Sequence, residues 1–253
     1  MKIDLSDRIA VVTGASGELG RAMARTLAAC GAHVVIHYLK NKAKAEAVGH
    51  EVTALGVRAM TIQADVTDAM SVNVMRKVVN ATLGDPDIVV NNAVIQYKWE
   101  SVLDQAVADY ESQFRSCVLH NVLMAKAFVP AMIKKRRGRI IGINTECAMQ
   151  NFITQSAYVS GKRGMDGVLR ILAKEVGEYQ ITVNQVAPGW TVSDRDRQKG
   201  TEKNESYDKN VPLRRRGSDQ EIANVVAFLA SDLASYITGA YIPVCGGNVM
   251  PAI

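Results

Sequence analysis

Seven short apolar runs, most of them rich in β-branched residues, alternate along this chain with longer stretches of helical periodicity. The runs lie at Arg8–Val12, His33–His37, Ala59–Ile62, Asp87–Val90, Arg139–Asn144, Ile181–Val186 and Tyr241–Val244. Helical patterns separate them at Leu19–Cys30, Lys42–Leu55, Ala69–Leu83, Val107–Lys135, Ala157–Gly177 and Asp219–Ala230. A strand that is apolar on both sides must be covered on both sides, and a parallel sheet between two helical layers does this. Right-handed crossovers then give a doubly wound α/β fold, with about seven parallel strands and helices on both faces.

No Pro/Gly/Ser linker and no internal repeat divides the 253 residues, so residues 1–253 are read as a single domain. One long polar stretch, Thr191 to Asn210, lies between the sixth strand and the last long helix. A segment of that length without an apolar pattern is read as a mobile flap. Apolar residues at 48% and charged residues at 22% fit a globular chain and exclude a disordered one. No run nears the roughly 18 unbroken apolar residues of a membrane span, and the opening MKIDLSDRIAVV lacks a signal-peptide core. Cys30, Cys117, Cys147 and Cys245 form no CxxC pair, which suits reduced thiols in a cytoplasmic protein. His33 and His37 flank a strand and stand ~13 Å apart at ~3.3 Å per residue, too far to share an ion, so no metal is expected.

The formal charge of +5 is concentrated in two blocks, Lys134 to Arg139 (KKRRGR) and Arg214 to Arg216. No aromatic residues interleave with these cations, and the first block closes a helix where Gly138 would supply a left-handed cap. Neither a nucleic-acid nor a membrane partner is expected.

Immediately after the first strand comes TGASGELG, Thr13 to Gly20, followed by a helix. A glycine-rich turn in that place brings backbone N–H groups and a helix N-terminus against a pyrophosphate, as in Rossmann-type domains. Thr13, Gly14 and Gly20 fit the TGxxxGxG turn, and here the chain resembles the short-chain dehydrogenase/reductase family. The resemblance implies dinucleotide contacts from Gly14, Ser16, Gly17, Glu18, Leu19 and Gly20. Glu18 replaces the middle glycine, and a carboxylate there suits the helix dipole but repels a pyrophosphate. After the second strand, where NAD-preferring relatives carry an acid, this chain has Tyr38 and Leu39, then Lys40 and Lys42. Tyr38 and Lys40 are therefore candidates for the ribose end, and the balance favours NADP(H) over NAD(H). Asp65 and Val66 match the pair beside the adenine. Asn92 and Ala93 belong to an NNAG-like turn in which Val94 replaces the glycine.

Transfer of hydride to a carbonyl also requires a proton, and tyrosine, with a free pKa near 10, is a weak donor. A lysine one helical turn away eases its ionisation. YxxxK occurs twice, at Tyr38/Lys42 and at Tyr158/Lys162. Only the second opens the helix after the fifth strand, where the family places its catalytic pair. The resemblance makes Tyr158 the acid/base and Lys162 its partner and a ribose ligand. It makes Thr145, in the place of the usual serine, the group that orients the substrate oxygen, and Asn121 the holder of a proton-relay water. Pro188 and Gly189 match the turn at the nicotinamide, with Thr191 or Ser193 to bond the carboxamide.

Together these readings predict an NAD(P)-dependent oxidoreductase acting on a carbonyl or secondary alcohol. Ile95, Gln96, Glu146, Gln150, Phe152, Gln155 and Trp190 are placed around the substrate, and their polarity points toward a hydroxylated compound. The pattern also resembles the 3-oxoacyl-carrier-protein reductases, which would add an acidic acyl carrier docked at Lys135 and Arg136. Tyr179 stands where a second basic contact belongs. The departures at Glu18, Val94 and Thr145 leave open a dinucleotide-binding homologue with weak or no catalysis. The apolar Val118–Ile133 stretch is consistent with a homo-oligomer, a dimer or tetramer as in the family.

Overall fold

The computed structural model describes residues 2–250. Its centre is one seven-stranded sheet, all parallel, in the order β3-β2-β1-β4-β5-β6-β7. The strands are β1 Ile9–Val12, β2 His33–Tyr38, β3 Ala59–Gln63, β4 Ile88–Asn91, β5 Gly138–Ile143, β6 Ile181–Pro188 and β7 Tyr241–Val244. The helices are α1 Glu18–Ala29, α2 Lys42–Thr53, α3 Ala69–Thr82, α4 Val107–Gln113, α5 His120–Lys135, α6 Cys147–Gln150, α7 Ser156–Val176, α8 Asp194–Lys199, α9 Glu205–Asp208 and α10 Asp219–Ala230. Strand order reverses between β1 and β4, which opens a crevice beyond their carboxyl ends, where such sheets bind ligands.

Alternation along each strand divides the core in two. Ala10, Val12, Val34, Ile36, Ile88, Val90 and Ile141 join a cluster with Met23 and Leu27 of α1, Val48 of α2 and Val226 of α10. Val11, Val35, Val89, Ile140 and Val183 face the other way, onto Met75 of α3, Phe128 of α5 and Leu169 of α7. Each large apolar side chain fully buried in these layers contributes about 1.5–3 kcal/mol, so both faces are needed for stability. Two glycines set how closely α7 lies. A Cβ on Gly142 of β5 would stand 2.5 Å from Leu169 Cδ1, and one on Gly161 of α7 would stand 2.9 Å from the Gln113 carbonyl. A larger residue at Gly142 would push α7, with Tyr158 and Lys162, away from β5, and one at Gly161 would push it away from α4.

Three details differ from the expectations. The helix expected at Val107–Lys135 is interrupted by a π-helical segment, Phe114–Leu119. As a whole it is long and apolar enough to cross a membrane, but half of its apolar window is buried inside the fold. The left-handed cap of α5 is Arg136 (φ 49°) and not Gly138. Gly138 instead starts β5 and lies against Met132, whose Sδ would be 2.6 Å from a Cβ there. Residues 191–210, read from the sequence as a flap with no apolar pattern, contain α8 and α9. Ser193 caps α8 reciprocally with Asp196, and Asn204 caps α9, so local polar capping forms these helices without an apolar stripe.

Candidate active site

The turn after β1 is built by long-range hydrogen bonds. Gly14 takes φ +64°, and its N–H donates to Nδ1 of the buried His37 at 3.0 Å. Nε2 of the same ring lies 2.9 Å from the Ala64 carbonyl, so the proton sits on Nε2. Burial holds His37 below its usual pKa and keeps it neutral. Thr13 Oγ1 accepts the N–H groups of Asn92 (2.8 Å) and Ala93 (3.0 Å), while Asn92 Nδ2 donates back to the Thr13 carbonyl. These bonds join the end of β4 to the turn. Gly20 is fixed by contact, because a Cβ there would fall 2.3 Å from the Gly14 carbonyl oxygen. Gly17 caps α1, and Glu18 is its exposed first residue.

A cleft of about 1100 Å³ opens beside this turn, above the ~300–1,000 Å³ usual for small-molecule sites. Of the predicted residues, Glu18, Leu19, Asn92, Gln96, Thr145, Glu146, Gln150, Phe152, Gln155, Tyr158, Lys162, Pro188, Gly189, Trp190 and Thr191 line it, whereas Ile95 does not. The lining runs from the N-terminus of α1, past the ends of β4, β5 and β6, to the segment around α9. Gly14, Ser16, Gly17, Gly20 and Ala93 form the turn and strand end behind that wall. Asp65 and Val66 follow β3, with Asp65 Oδ1 accepting the Thr67 N–H and hydroxyl. Tyr38 is buried in the core cluster of α1 and α2, and Lys40 is exposed at the exit of β2. Ser193 caps α8. The volume and the glycine cradle at the start of α1 fit a dinucleotide together with a second molecule.

Tyr158 and Lys162 lie one turn apart on α7, with Lys162 Nζ 5.7 Å from the Tyr158 ring centre. Lys162 is buried, and its Nζ donates to the Ile143 carbonyl at the end of β5 (2.6 Å). Asn144 secures the same region, donating from Nδ2 to Lys162 O and Gln185 Oε1. Thr145 is buried, its carbonyl accepts the Tyr241 hydroxyl (2.5 Å), and its Oγ1 accepts the Cys147 N–H (3.2 Å). Asn121 lies behind the cleft wall, fully buried. Its Oδ1 accepts from Asn91 Nδ2 (2.7 Å), and its Nδ2 donates to the Cys117 carbonyl (2.6 Å). That carbonyl belongs to the π-helical segment, where the wider turn frees backbone acceptors.

Several lining groups carry no local signal in the sequence. Trp99 stacks on Tyr158 with ring centres 6.1 Å apart, and Tyr97 Oη accepts the Tyr158 N–H (2.8 Å). Tyr207 of α9 donates its hydroxyl to Glu146 Oε1 (2.8 Å) and accepts the Trp190 N–H (2.9 Å). Asn248 holds Glu146 Oε2 (3.1 Å), so both oxygens of this buried carboxylate are engaged. Arg216 lies 4.4 Å above the Trp190 ring and pairs with Asp196 (2.7 Å). These partners are distant in sequence, and only the fold brings them together.

Desolvation dominates the electrostatics. Burial raises the Tyr158 phenol above its ordinary range, lowers Lys162, and raises the Glu146 carboxyl and the Cys147 thiol. The Thr145 hydroxyl opposes the shift of Tyr158. The lowered tyrosine pKa expected from its lysine neighbour is therefore not a property of the protein alone. The arrangement presents a protonated phenol, a hydroxyl and a buried amine side by side beneath a dinucleotide-sized cleft.

Comparison with known proteins agrees with this geometry. A family model described as enoyl-(acyl carrier protein) reductase matches residues 14–248. The 3-oxoacyl-[acyl-carrier-protein] reductase of Staphylococcus aureus is 39% identical over 251 residues, covering 95% of this chain and 98% of the relative. The chain belongs to the short-chain dehydrogenase/reductase family. The Escherichia coli reductase of the same name is 38% identical, covering 98% of this chain and all of the relative. Among solved structures, an NAD+-bound xylitol dehydrogenase superimposes with TM-score 0.90 at 27% identity, over 96% of this chain and 99% of its own. A Serratia marcescens short-chain dehydrogenase/reductase gives 0.87 at 30%, over 96% and 98%. As a member of this family, the chain is an NAD(P)-dependent oxidoreductase that interconverts a carbonyl and an alcohol.

Proposed function

We propose that Tyr158 is the acid/base of this oxidoreductase, with Lys162, Thr145 and Asn121 in support. The observation that carries the reading is the convergence of Tyr158, Thr145 and Lys162 on the cleft floor beside the glycine turn. A bound nicotinamide dinucleotide supplies or accepts the hydride. Gly14, Ser16, Gly17, Leu19 and Gly20 cradle its pyrophosphate at the start of α1, Asp65 and Val66 flank the adenine, and Asn92 and Ala93 support the far side. Pro188, Gly189 and Thr191 border the nicotinamide end, and Ser193 shapes that border by capping α8. Thr145 orients the substrate oxygen. Tyr158 gives its proton to that oxygen in reduction and takes one in oxidation, while Lys162 holds the ribose and stabilises phenolate. Asn121, fixed by the π-helical segment, connects the site to a proton path.

Lys40 and Lys42 at the exit of β2 support a preference for NADP(H) over NAD(H). Lys42 is mostly exposed and only loosely paired with Glu46 at 3.6 Å. Docking of an acyl carrier gains little support. Lys135 Nζ is bound to the Asp85 carbonyl (2.6 Å) and Asp87 (3.4 Å), and Arg136 to the Glu178 carbonyl (2.7 Å). The proposed substrate is a small-molecule carbonyl or alcohol, free or linked to an acyl carrier. Exposed apolar side chains on the α4–α7 face, including Phe114 and Ile171, support a dimer or tetramer, and the four free cysteines support a cytoplasmic setting.

The test is Tyr158→Phe, assayed for ketone reduction with NADPH and NADH and for dinucleotide binding by calorimetry. Turnover is expected to fall by at least a thousandfold with Kd nearly unchanged. Retained turnover would remove Tyr158 from its role.

A further inference from the structure

Glu146 follows Thr145 in the chain and borders the cleft, yet it is only 2% exposed, and no described residue neutralises it with a positive charge. Burying a carboxylate is costly, and hydrogen bonds from fixed donors offset that cost. Two side chains supply them, the Tyr207 hydroxyl to Oε1 at 2.8 Å and Asn248 Nδ2 to Oε2 at 3.1 Å. With both oxygens engaged inside the protein, this carboxylate serves its neighbours and not a substrate.

Tyr207 depends on that bond more than the cleft floor does. Main-chain groups already fix the floor: the Glu146 N–H donates to the Pro188 carbonyl (3.0 Å), the Thr145 N–H to Asn144 Oδ1 (2.9 Å), and the Thr145 carbonyl accepts the Tyr241 hydroxyl. By contrast, α9 is four residues long and buries none of them, so apolar packing does not seat it. Its segment is tied at two ends. Arg216 donates to the Thr201 carbonyl (3.3 Å) on one side; on the other Val211 is buried and the Leu213 N–H donates to the Gly246 carbonyl (3.2 Å). Between those ties the side-chain link to the floor is Tyr207. Its hydroxyl also accepts the Trp190 N–H (2.9 Å), and its ring meets Trp190 edge-on with centres 5.5 Å apart. Ser206, Tyr207, Asn210 and Trp190 all line the end of the cleft away from the glycine turn, so the seat of α9 shapes the space left for a substrate.

We propose that Glu146 is a positioning residue, whose carboxylate seats α9 on the cleft floor through Tyr207 and thereby fixes the substrate end of the site. The proposal rests on the oxidoreductase reading above and adds what holds the substrate end in shape. Glu146 acts through Tyr207 and touches neither substrate nor dinucleotide. Substrate affinity should therefore depend on it, whereas dinucleotide binding at the glycine turn should not.

The experiment uses the wild type, Glu146→Met, Glu146→Gln, Tyr207→Phe and the double variant Glu146→Met/Tyr207→Phe. Each is assayed for reduction of ethyl acetoacetate with NADPH, for dinucleotide Kd by calorimetry, and for amide hydrogen exchange across residues 203–212. Methionine keeps the stem and removes both acceptors, while glutamine keeps an acceptor for Tyr207. A hydrogen bond to a charged group is worth about tenfold, so Glu146→Met and Tyr207→Phe should each raise KM by about tenfold, with kcat changed by less than about threefold. Exchange across 203–212 should quicken by a similar factor, and dinucleotide Kd should stay as in the wild type. Because both variants break one link, the double variant should be no worse than either alone. Glu146→Gln should recover most of the lost affinity. Tyr207→Phe removes one hydroxyl from a half-buried side chain, so it decides the matter even where Glu146→Met folds poorly. Unchanged exchange in Tyr207→Phe, KM effects that multiply in the double variant, or Glu146→Gln as impaired as Glu146→Met would each overturn the proposal. Turnover retained in Tyr158→Phe would count against the acid/base assignment alone, because hydrogen exchange reports the seat of α9 without turnover.

Discussion

At the scale of single residues, Glu18 tests how electrostatics act at the cofactor turn. Its exposed carboxylate stands at the N-terminus of α1, which favours it, and on the cleft wall, where a pyrophosphate would oppose it. Two unit charges ~6 Å apart in water repel by on the order of 0.7 kcal/mol. Glu18→Gln should therefore tighten dinucleotide binding about threefold at low ionic strength. Because the Debye length is ~3 Å at 1 M, the gain should vanish in high salt. Calorimetry at two salt concentrations checks this, and equal Kd values at low salt would show that the side chain points away. Tyr158 provides a second test. Burial raises its pKa, so the free protein holds it as phenol, ready to donate in reduction and unready to accept in oxidation. Alcohol oxidation should rise with pH between 7 and 9 while ketone reduction stays flat. Lys162→Met should move the oxidation profile to higher pH by removing the amine beside the phenol. A profile unchanged by Lys162→Met would assign the shift to another group.

At the scale of elements, the segment carrying α8 and α9 is held by polar links to the rest of the fold. Arg216 is almost fully buried, bonds Asp196 and the Thr191 carbonyl, and covers Trp190. Arg197 bonds Asp219 at 2.6 Å and Arg21 bonds Asp194 at 2.7 Å. Arg216→Met keeps much of the stem but deletes the charge, leaving Asp196 unpaired beside the cleft. KM for the substrate should rise by tenfold or more, and limited proteolysis should cut within residues 191–210, whereas a merely peripheral Arg216 would leave both unchanged. The same elements show what the sequence discloses. All seven strands were legible: in the inner ones burial on both faces leaves continuous apolar runs such as IAVV and IVVN, and the half-buried edge strands β3 and β7 keep shorter apolar runs. The turn after β1 was legible because glycine is demanded there by a positive φ at Gly14 and by the close approach at Gly20. The helices of the flap were not, because capping by Ser193 and Asn204 forms them without any periodic apolar pattern. Trp99, Tyr97, Tyr207 and Asn144 also escaped notice, since each acts through partners that only the folded chain places beside it. The π-helical segment has no signature either. It shows itself only through Asn121 and His120 bonding to the backbone carbonyls of Cys117 and Ser116.

At the scale of the whole molecule, most cations of the two basic blocks are paired within the fold, while the net charge of +5 remains. Lys135 and Arg137 share Asp87, Arg139 pairs with Asp232, and Arg215 and Arg216 pair with Glu221 and Asp196. The charge that most affects stability is instead one that the fold excludes. His37 and His120 are both buried and neutral, His120 pushed down to about 3 and His37 lowered, and each would repel a proton on the other. In the unfolded chain both titrate near 6.5. A base whose folded pKa is depressed binds more protons when unfolded. Stability is therefore complete above pH 6.5 and is lost as pH falls from 6.5 toward 3. The slope below pH 6 is about 1.4 kcal/mol per pH unit for each histidine that resists protonation. Urea midpoints measured from pH 7 to 4 should fall accordingly, and His120→Gln should remove about half of that slope even if it costs stability at pH 7. Equal slopes in the two proteins would mean that His120 is protonated without unfolding. His37 links this titration to the site, because its neutral Nδ1 accepts the Gly14 N–H and its Nε2–H holds the Ala64 carbonyl. Protonation of Nδ1 removes the acceptor and frees the glycine turn from β2. Dinucleotide affinity should then decline in the same acid range, before the urea midpoint reaches zero, and the decline should be steeper than that of tryptophan-monitored folding.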